Sequence, residues 1–176
     1  MNHANLWAPW RMAYLRSIAD VDDNATASAQ DSNFFRRYWL EPDKDEENLV
    51  VYRNDAGMIL LNRYPYANGH VLVALGEARG TFDEFNPEQL AAFWSLLEKA
   101  TKLVRTTLNP QGLNVGINEG DAAGAGVPEH LHAHVVPRWR GDTNFMMVIG
   151  GVRVAPDALE SVARAYRESI SAGALD

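Results

Sequence analysis

The sequence predicts an α+β fold: an antiparallel β-sheet of about five strands with a long helix packed on it and a C-terminal helix. Three observations carry this expectation. Short β-type runs at Leu49 to Tyr52, Met58 to Leu61 and Val71 to Leu75 are punctuated by Asn54-Asp55 and Asn68-Gly69, as in an antiparallel meander. A helical pattern from Pro87 to Leu108 follows these runs instead of alternating with them. Two more strands, Leu113 to Ile117 and Leu131 to Val136, then precede a last helical run from Pro156 to Ser171. Strict βαβ alternation is absent, so helices covering one face of an antiparallel sheet are expected.

Residues 1–48 read as an N-terminal arm and mobile loop, and residues 49–176 as the main domain of a single-domain chain. The arm holds Leu6, Trp7, Trp10, Met12, Tyr14 and Leu15 among basic residues, which suits packing on the domain or on a partner subunit. Asp20 to Asn33 is polar, small and without periodicity, the signature of a loop. Phe34 to Leu40 is expected as a short helical turn. In the long helix Asn86 is placed as N-cap, with Pro87 at the first position and Gln89 at the third, close to a capping box. Its apolar stripe is read as Leu90, Phe93, Trp94, Leu97, Thr101, Val104 and Leu108, and Asn109-Pro110 ends it. The C-terminal helix is expected to bury Leu159, Val162, Ala163, Tyr166 and Ile170.

Composition narrows the function. The chain of 176 residues is 47% hydrophobic and 22% charged, which is a globular balance. No run of apolar residues is long enough to span a membrane, and the first residues lack the apolar stretch of a secretory signal, so the expected location is the cytoplasm. There is no cysteine, which removes disulfides, thiolate metal sites and cysteine nucleophiles. A net charge of -7 argues against binding nucleic acid through a broad basic surface. A small phosphorylated ligand needs only a few local donors and stays open.

The chemistry concentrates in His130-Leu131-His132-Ala133-His134-Val135-Val136. A strand turns residues i, i+2 and i+4 to one face, so three imidazoles are expected on one surface while Leu131, Ala133 and Val135 enter the core. Four of the five histidines lie in this motif or at His70. One strand offering three imidazoles also suits a metal. Against that reading, the strand contains no carboxylate and its neighbours suit phosphate. Asn114, Gly116 and Asn118 share the face beside the histidines, and Gly124, Ala125 and Gly126 can present backbone N–H groups to phosphate oxygens. Inert histidines on a solvent-facing strand are the remaining alternative.

With these residues in view, the chain resembles the histidine-triad (HIT) superfamily. Leu61 to His70 followed by Val71-Leu72-Val73 is similar to the family's nucleoside-binding strand and turn. Pro137 to Met146, with Leu6 to Arg11, resembles the bacterial branch of diadenosine tetraphosphate phosphorylases and related hydrolases. The resemblance implies that residues 49–176 are a HIT-like catalytic domain and that His132 attacks an α-phosphate to form a nucleotidyl-histidine. It implies a relay of His130 and His70 behind His132, with His134 beside the leaving oxygen. Asn62 would hold the ribose, and Asn118 with Gly124, Ala125 and Gly126 the phosphates. Arg138 and Trp139, just past the triad, are further candidate nucleotide contacts. The implied partners are an adenine nucleotide and a second copy of the chain, the sheet continuing across a homodimer.

No cofactor is expected to be required, although a divalent metal would accompany the nucleotide. Some relatives carry a zinc-binding Cys-x-x-Cys where Asn33-Phe34-Phe35-Arg36 stands here, so that structural zinc is expected to be lost. After His132 is loaded, phosphate is the favoured acceptor, and water is the alternative; a metal-dependent hydrolase and a nucleotide-binding module without turnover are the competing readings.

Overall fold

The computed structural model describes residues 33–142 and 157–176. Residues 1–32 of the expected arm and loop, and the segment 143–156, lie outside the described residues. Helix α1 (Phe34–Leu40) is followed by strands β1 (Val50–Arg53), β2 (Gly57–Leu61) and β3 (Val71–Leu75), helix α2 (Pro87–Leu108), strands β4 (Gly112–Ile117) and β5 (His132–Arg138), and helix α3 (Leu159–Ser171). The five strands form one antiparallel sheet in the order β1-β2-β3-β5-β4. The last strand in sequence is therefore inserted between β3 and β4, with a neighbour on either side.

Each strand of the sheet's centre sends alternate residues to two different cores. Ile59, Leu61, Val71, Val73, Leu75, Ala133 and Val135 face the larger one, where α2 and α3 pack. Met58, Leu60, Leu72 and Ala74 face a smaller one formed with Phe35 and Tyr38 of α1 and with Val127. The expectation of helices on one face is thus corrected: α1 covers part of the other. Its short pattern FFRRYWL is too brief to show a direction of burial, and its position is fixed from a distance. Arg36 donates to the Gly76 carbonyl at 2.6 Å, and Arg53 donates to the carbonyls of Tyr38 and Trp39 at 2.9 and 3.0 Å.

Helix α2 has the expected ends. Asn86 accepts from the Gln89 N–H at 2.8 Å while the Gln89 side chain accepts from the Asn86 N–H at 3.0 Å, closing the capping box. Asn109 ends it in the left-handed conformation. The buried stripe differs from the expected one: Leu96, Ala100 and Leu103 join Phe93, Leu97 and Val104, whereas Trp94 is half exposed and stacks on Phe82. Contact with α3 widens the apolar face beyond the stripe that periodicity alone defines. Helix α3 begins at Leu159 rather than at Pro156, because Ala158 is extended.

Pro137 does not break β5, as it would in a strand paired on both sides. The β3 ladder ends at Val135, so beyond it β5 pairs with β4 alone and the missing N–H falls on the unpaired side.

Helix α3 also reaches the site. The buried Tyr166 hydroxyl donates to the Gly69 carbonyl at 2.7 Å, directly before His70. Tyr166→Phe would strand that carbonyl. We expect about 1–3 kcal/mol less unfolding free energy, read from the urea midpoint; an unchanged midpoint would show that Gly69 finds another donor.

Candidate active site

His132 and His134 project from β5 onto the face opposite α2 and α3, across from Ala74 and Leu72 of β3. His134 also faces Gly116 of β4, whose lack of a side chain leaves room beside the imidazole. The intervening Ala133 and Val135 are fully buried in the main core and fix which face the histidines take.

His132 is 4% exposed, and its Nδ1 lies 2.8 Å from its own neighbour's backbone, the His130 carbonyl. A carbonyl only accepts, so Nδ1 must carry the proton and donate it. Nε2 then keeps its lone pair. Burial pushes the His132 pKa below the ordinary histidine value, against the opposing pull of that hydrogen bond. The ring is therefore neutral near pH 7 with one defined tautomer, the form in which imidazole is a nucleophile.

A second chain of bonds fixes the other two rings. The Tyr66 N–H donates to His70 Nδ1 at 3.1 Å, so Nδ1 is an acceptor and the His70 proton sits on Nε2. That Nε2 donates to His134 Nδ1, 3.0 Å away. His134, neutral, must then carry its own proton on Nε2. Asn62 supports the same assignment: its Oδ1 accepts from the Tyr64 N–H at 2.9 Å, which leaves its amide nitrogen to face His70 Nδ1 at 3.3 Å. The Tyr66 ring lies nearly parallel to His134, 5.7 Å between centroids, and closes this side. One face thus presents a lone pair on His132 beside an N–H on His134, the two rings 5.1 Å apart.

His130 departs from its expected role. It precedes β5, and its ring is fully buried, with Nε2 2.7 Å from the Leu75 carbonyl and Nδ1 3.1 Å from Asn33 Oδ1. It makes no relay with His70. The partner of His70 is His134, and what His130 offers His132 is its backbone carbonyl. Desolvation pulls its pKa down to about 4. Because the His130 ring points away, the three imidazoles do not converge, and no group of three His, Asp or Glu side chains among the described residues is arranged to hold a metal.

The expected nucleotide contacts divide. Asn62 lies against His70, as above. Asn118 donates to the Gly124 carbonyl at 3.3 Å and so ties down the β4–β5 loop. Within that loop the Gly124 N–H donates to the Asp121 carbonyl at 2.8 Å and the Ala125 N–H to the Gly120 carbonyl at 3.1 Å. These two N–H groups, expected on phosphate, are spent on the loop's own turns, and only Gly126 of the three keeps its N–H out of that bonding. Arg138 stays on the histidine face but is four residues from His134, about 13 Å along a strand. Its guanidinium is forked onto Asp142 at 2.6 and 2.8 Å and donates to Asn114 at 3.0 Å. Trp139 is half-buried in the turn closed by Asp142.

Sequence reasoning missed Tyr66, Asn33 and Phe35. Tyr66 stands four residues before His70, but its part is played by a backbone N–H, which no residue type announces. Asn33 carried a signal as a capping residue before FFRRYWL. Phe35 packs against both His130 and His132, at 5.2 and 4.7 Å between centroids.

A neutral imidazole with its Nδ1 committed to a carbonyl, set beside a second imidazole on an antiparallel sheet, is the chemistry a histidine nucleophile requires. The HIT domain family model matches residues 43–141. An AP-4-A phosphorylase of Mycobacterium tuberculosis is 38% identical over 159 residues, covering 90% of this chain and 80% of the relative. An asymmetrical bis(5'-nucleosyl)-tetraphosphatase of Schizosaccharomyces pombe is 30% identical over 93 residues, 53% of this chain and 50% of the other. Among solved structures, a zinc-bound histidine triad family protein of Mycobacterium smegmatis superposes with a TM-score of 0.62 at 27% identity, over 77% of this chain and 93% of that one. The chain belongs to the HIT family.

Burial of His130 has a measurable consequence. Its folded pKa of about 4 lies below the unfolded value near 6.5, so the unfolded state binds the proton more readily. The stability it contributes is present above pH 6.5 and is lost as pH falls towards 4. Between pH 7 and pH 5 we expect a loss of roughly 2 kcal/mol in urea unfolding free energy. A flat profile across that range would contradict a neutral, buried His130.

Proposed function

We propose that this enzyme cleaves a dinucleoside polyphosphate such as diadenosine tetraphosphate by nucleotidyl transfer through a covalent nucleotidyl-His132, with inorganic phosphate as the acceptor. The observation that carries the reading is the bond from His132 Nδ1 to the His130 carbonyl, which leaves Nε2 free to attack. As the N–P bond forms, positive charge develops on the ring, and that carbonyl stabilises it. The bond from phosphorus to the bridging oxygen breaks, and we assign to His134 the donation of a hydrogen bond to the departing nucleotide. His70 supports His134 from behind. Phosphate oxygen then attacks the same phosphorus, releasing a nucleoside diphosphate and returning the lone pair to His132.

The phosphorylase named among the relatives, at 38% identity across most of the chain, supports the substrate class and the acceptor. An asymmetrical tetraphosphatase among more distant relatives keeps water as the second reading. Gly126 and His134 are the donors we assign to phosphate, Asn62 to the ribose and Trp139 to the nucleotide's edge. We assign no phosphate to Arg138 while Asp142 holds it. Strand β4 lies at the edge of the sheet, which suits a homodimer formed by pairing two such edges. A cytoplasmic location fits this substrate, and no helix among the described residues is long and apolar enough to cross a membrane.

His132→Ala removes the nucleophile and is expected to lower turnover by about 10⁴-fold or more with nucleotide binding still measurable. Wild-type protein quenched during turnover should gain the mass of one nucleotidyl group, and the variant should not. A variant retaining about a tenth of the rate would refute the assignment.

The acceptor is decided by products. With diadenosine tetraphosphate, phosphorolysis gives adenosine diphosphate and adenosine triphosphate, and only when phosphate is supplied. Adenosine monophosphate with adenosine triphosphate, formed at one rate with or without phosphate, would make the enzyme a hydrolase.

A further inference from the structure

We propose that Gly80 is a positioning residue for the transfer centre: its lack of a side chain lets the turn at Arg79 and Gly80 hold the peptide whose carbonyl sets the tautomer of His132. The inference rests on His132 being the nucleophile.

The peptide group between His130 and Leu131 is bonded at both of its polar ends. Its carbonyl accepts from His132 Nδ1 at 2.8 Å, and its N–H donates to the Arg79 carbonyl at 2.6 Å. In a trans peptide these two groups point in opposite directions, so the two bonds grip one plane from opposite sides. Turning the plane would strain both. Release of His132 Nδ1 would let the proton move to Nε2, which removes the attacking lone pair. Leu131 lies just before β5, which starts at His132, so the Arg79 carbonyl stands in for a strand partner.

Arg79 supplies only its backbone to this contact; its side chain pairs with Glu77 at 2.7 Å. What brings that backbone close is Gly80. A methyl group there would sit 2.8 Å from the Pro128 carbonyl oxygen and 3.6 Å from the Glu129 Cα. Both are backbone atoms, which cannot swing aside as the end of a side chain can. The φ of Gly80 lies outside the left-handed region, so the close approach is what the position demands. The turn is also braced. The Glu84 carboxylate accepts from the Gly80 N–H at 2.6 Å and from the Thr81 N–H at 3.0 Å. One residue further, the Phe82 N–H donates to the Glu119 carboxylate at 3.1 Å. The same turn thus grips both ends of the β4–β5 loop, Glu119 just after β4 and Leu131 just before β5.

The test separates positioning from general stability. Gly80→Ala pushes the turn off the segment that leads into β5. Glu84→Gln keeps an amide oxygen for the same two N–H groups. For each we would measure kcat and KM on diadenosine tetraphosphate with phosphate. In ligand-free protein we would measure exchange of the Leu131 amide proton and the ¹⁵N shifts of the His132 ring.

Gly80→Ala is expected to lose about tenfold or more in kcat with KM little changed. Its Leu131 amide should exchange about tenfold faster or more, and its His132 nitrogens should move towards tautomer averaging. Glu84→Gln should stay close to wild type in all these measurements. Glu84→Ala, which unties the turn without adding a group beside Pro128, replaces Gly80→Ala if that variant does not fold, with the same losses expected. The proposal is overturned if Gly80→Ala, or Glu84→Ala in its place, keeps more than half of kcat. It is also overturned if kcat falls while the His132 shifts stay at their wild-type values, since a loss of stability alone would leave the tautomer unchanged. Glu84→Gln falling as far as Gly80→Ala would overturn it too. Absence of turnover in the wild-type protein would defeat the proposed function alone, because exchange and shifts are read without substrate.

Discussion

The hydrogen bond from His132 Nδ1 to the carbonyl two residues before it sets the terms for the rest of the molecule. A carbonyl cannot donate, so the bond decides which ring nitrogen is bare. For that to persist, neither the ring nor the carbonyl can be free to turn. The ring is 4% exposed and walled by Phe35, and the carbonyl belongs to a residue whose own ring is fully buried against the Leu75 carbonyl. Beneath them, Ala133 and Val135 are committed to the main core, so a slip of one residue in β5 would bury the histidines against α2 and expose the apolar residues. The topology serves the same end. Because β5 enters between β3 and β4, the histidine-bearing strand is paired on both sides at His134 and with β3 at His132.

The four histidines form two systems with different bonding partners. His130 and His132 each face a backbone carbonyl and are buried, and burial disfavours the charged form of both. His70 and His134 form a chain whose polarity is dictated by the Tyr66 N–H. The face is thereby asymmetric: a lone pair on one ring and a proton on the next. An acid and a base of the same residue type differ here only through the backbone groups that each ring meets.

Much of this was legible in the sequence, for reasons that differ by element. The sheet's runs and the long helix were readable because burial on one face imposes period 2 or 3.6, and the capping box of α2 is chemically explicit. The alternation of His130, His132 and His134 gave the face and the middle ring. What it did not give was the division of labour. Periodicity treats His130 as the equal of its neighbours, but β5 starts at His132, so His130 lies outside the strand and its ring is free to turn towards α1. The relay of His130 with His70 failed on this point. The pairing of His70 with His134 depends on register between β3 and β5, where Val71 faces Val135 and Leu72 faces His134. Register between strands some 60 positions apart in sequence is not written in either one.

The β4–β5 loop shows how one composition answers two demands. Gly120 and Gly124 have φ of 82° and 89°, the left-handed region where glycine is favoured. Those conformations close two turns, in which the Gly124 and Ala125 N–H groups find carbonyls inside the loop. The glycines are thus explained by the bend from β4 back to β5, with no ligand required. A phosphate-binding loop would show the same small residues, but its N–H groups would point outward. The two cases are indistinguishable by residue type and opposite in the direction of the donors. The placement of Gly126 matters for that reason. It follows the two closed turns and precedes the buried Val127, so the loop delivers its N–H at the point where the chain re-enters the fold towards His130. The tightness of the preceding turns is what makes that position reproducible.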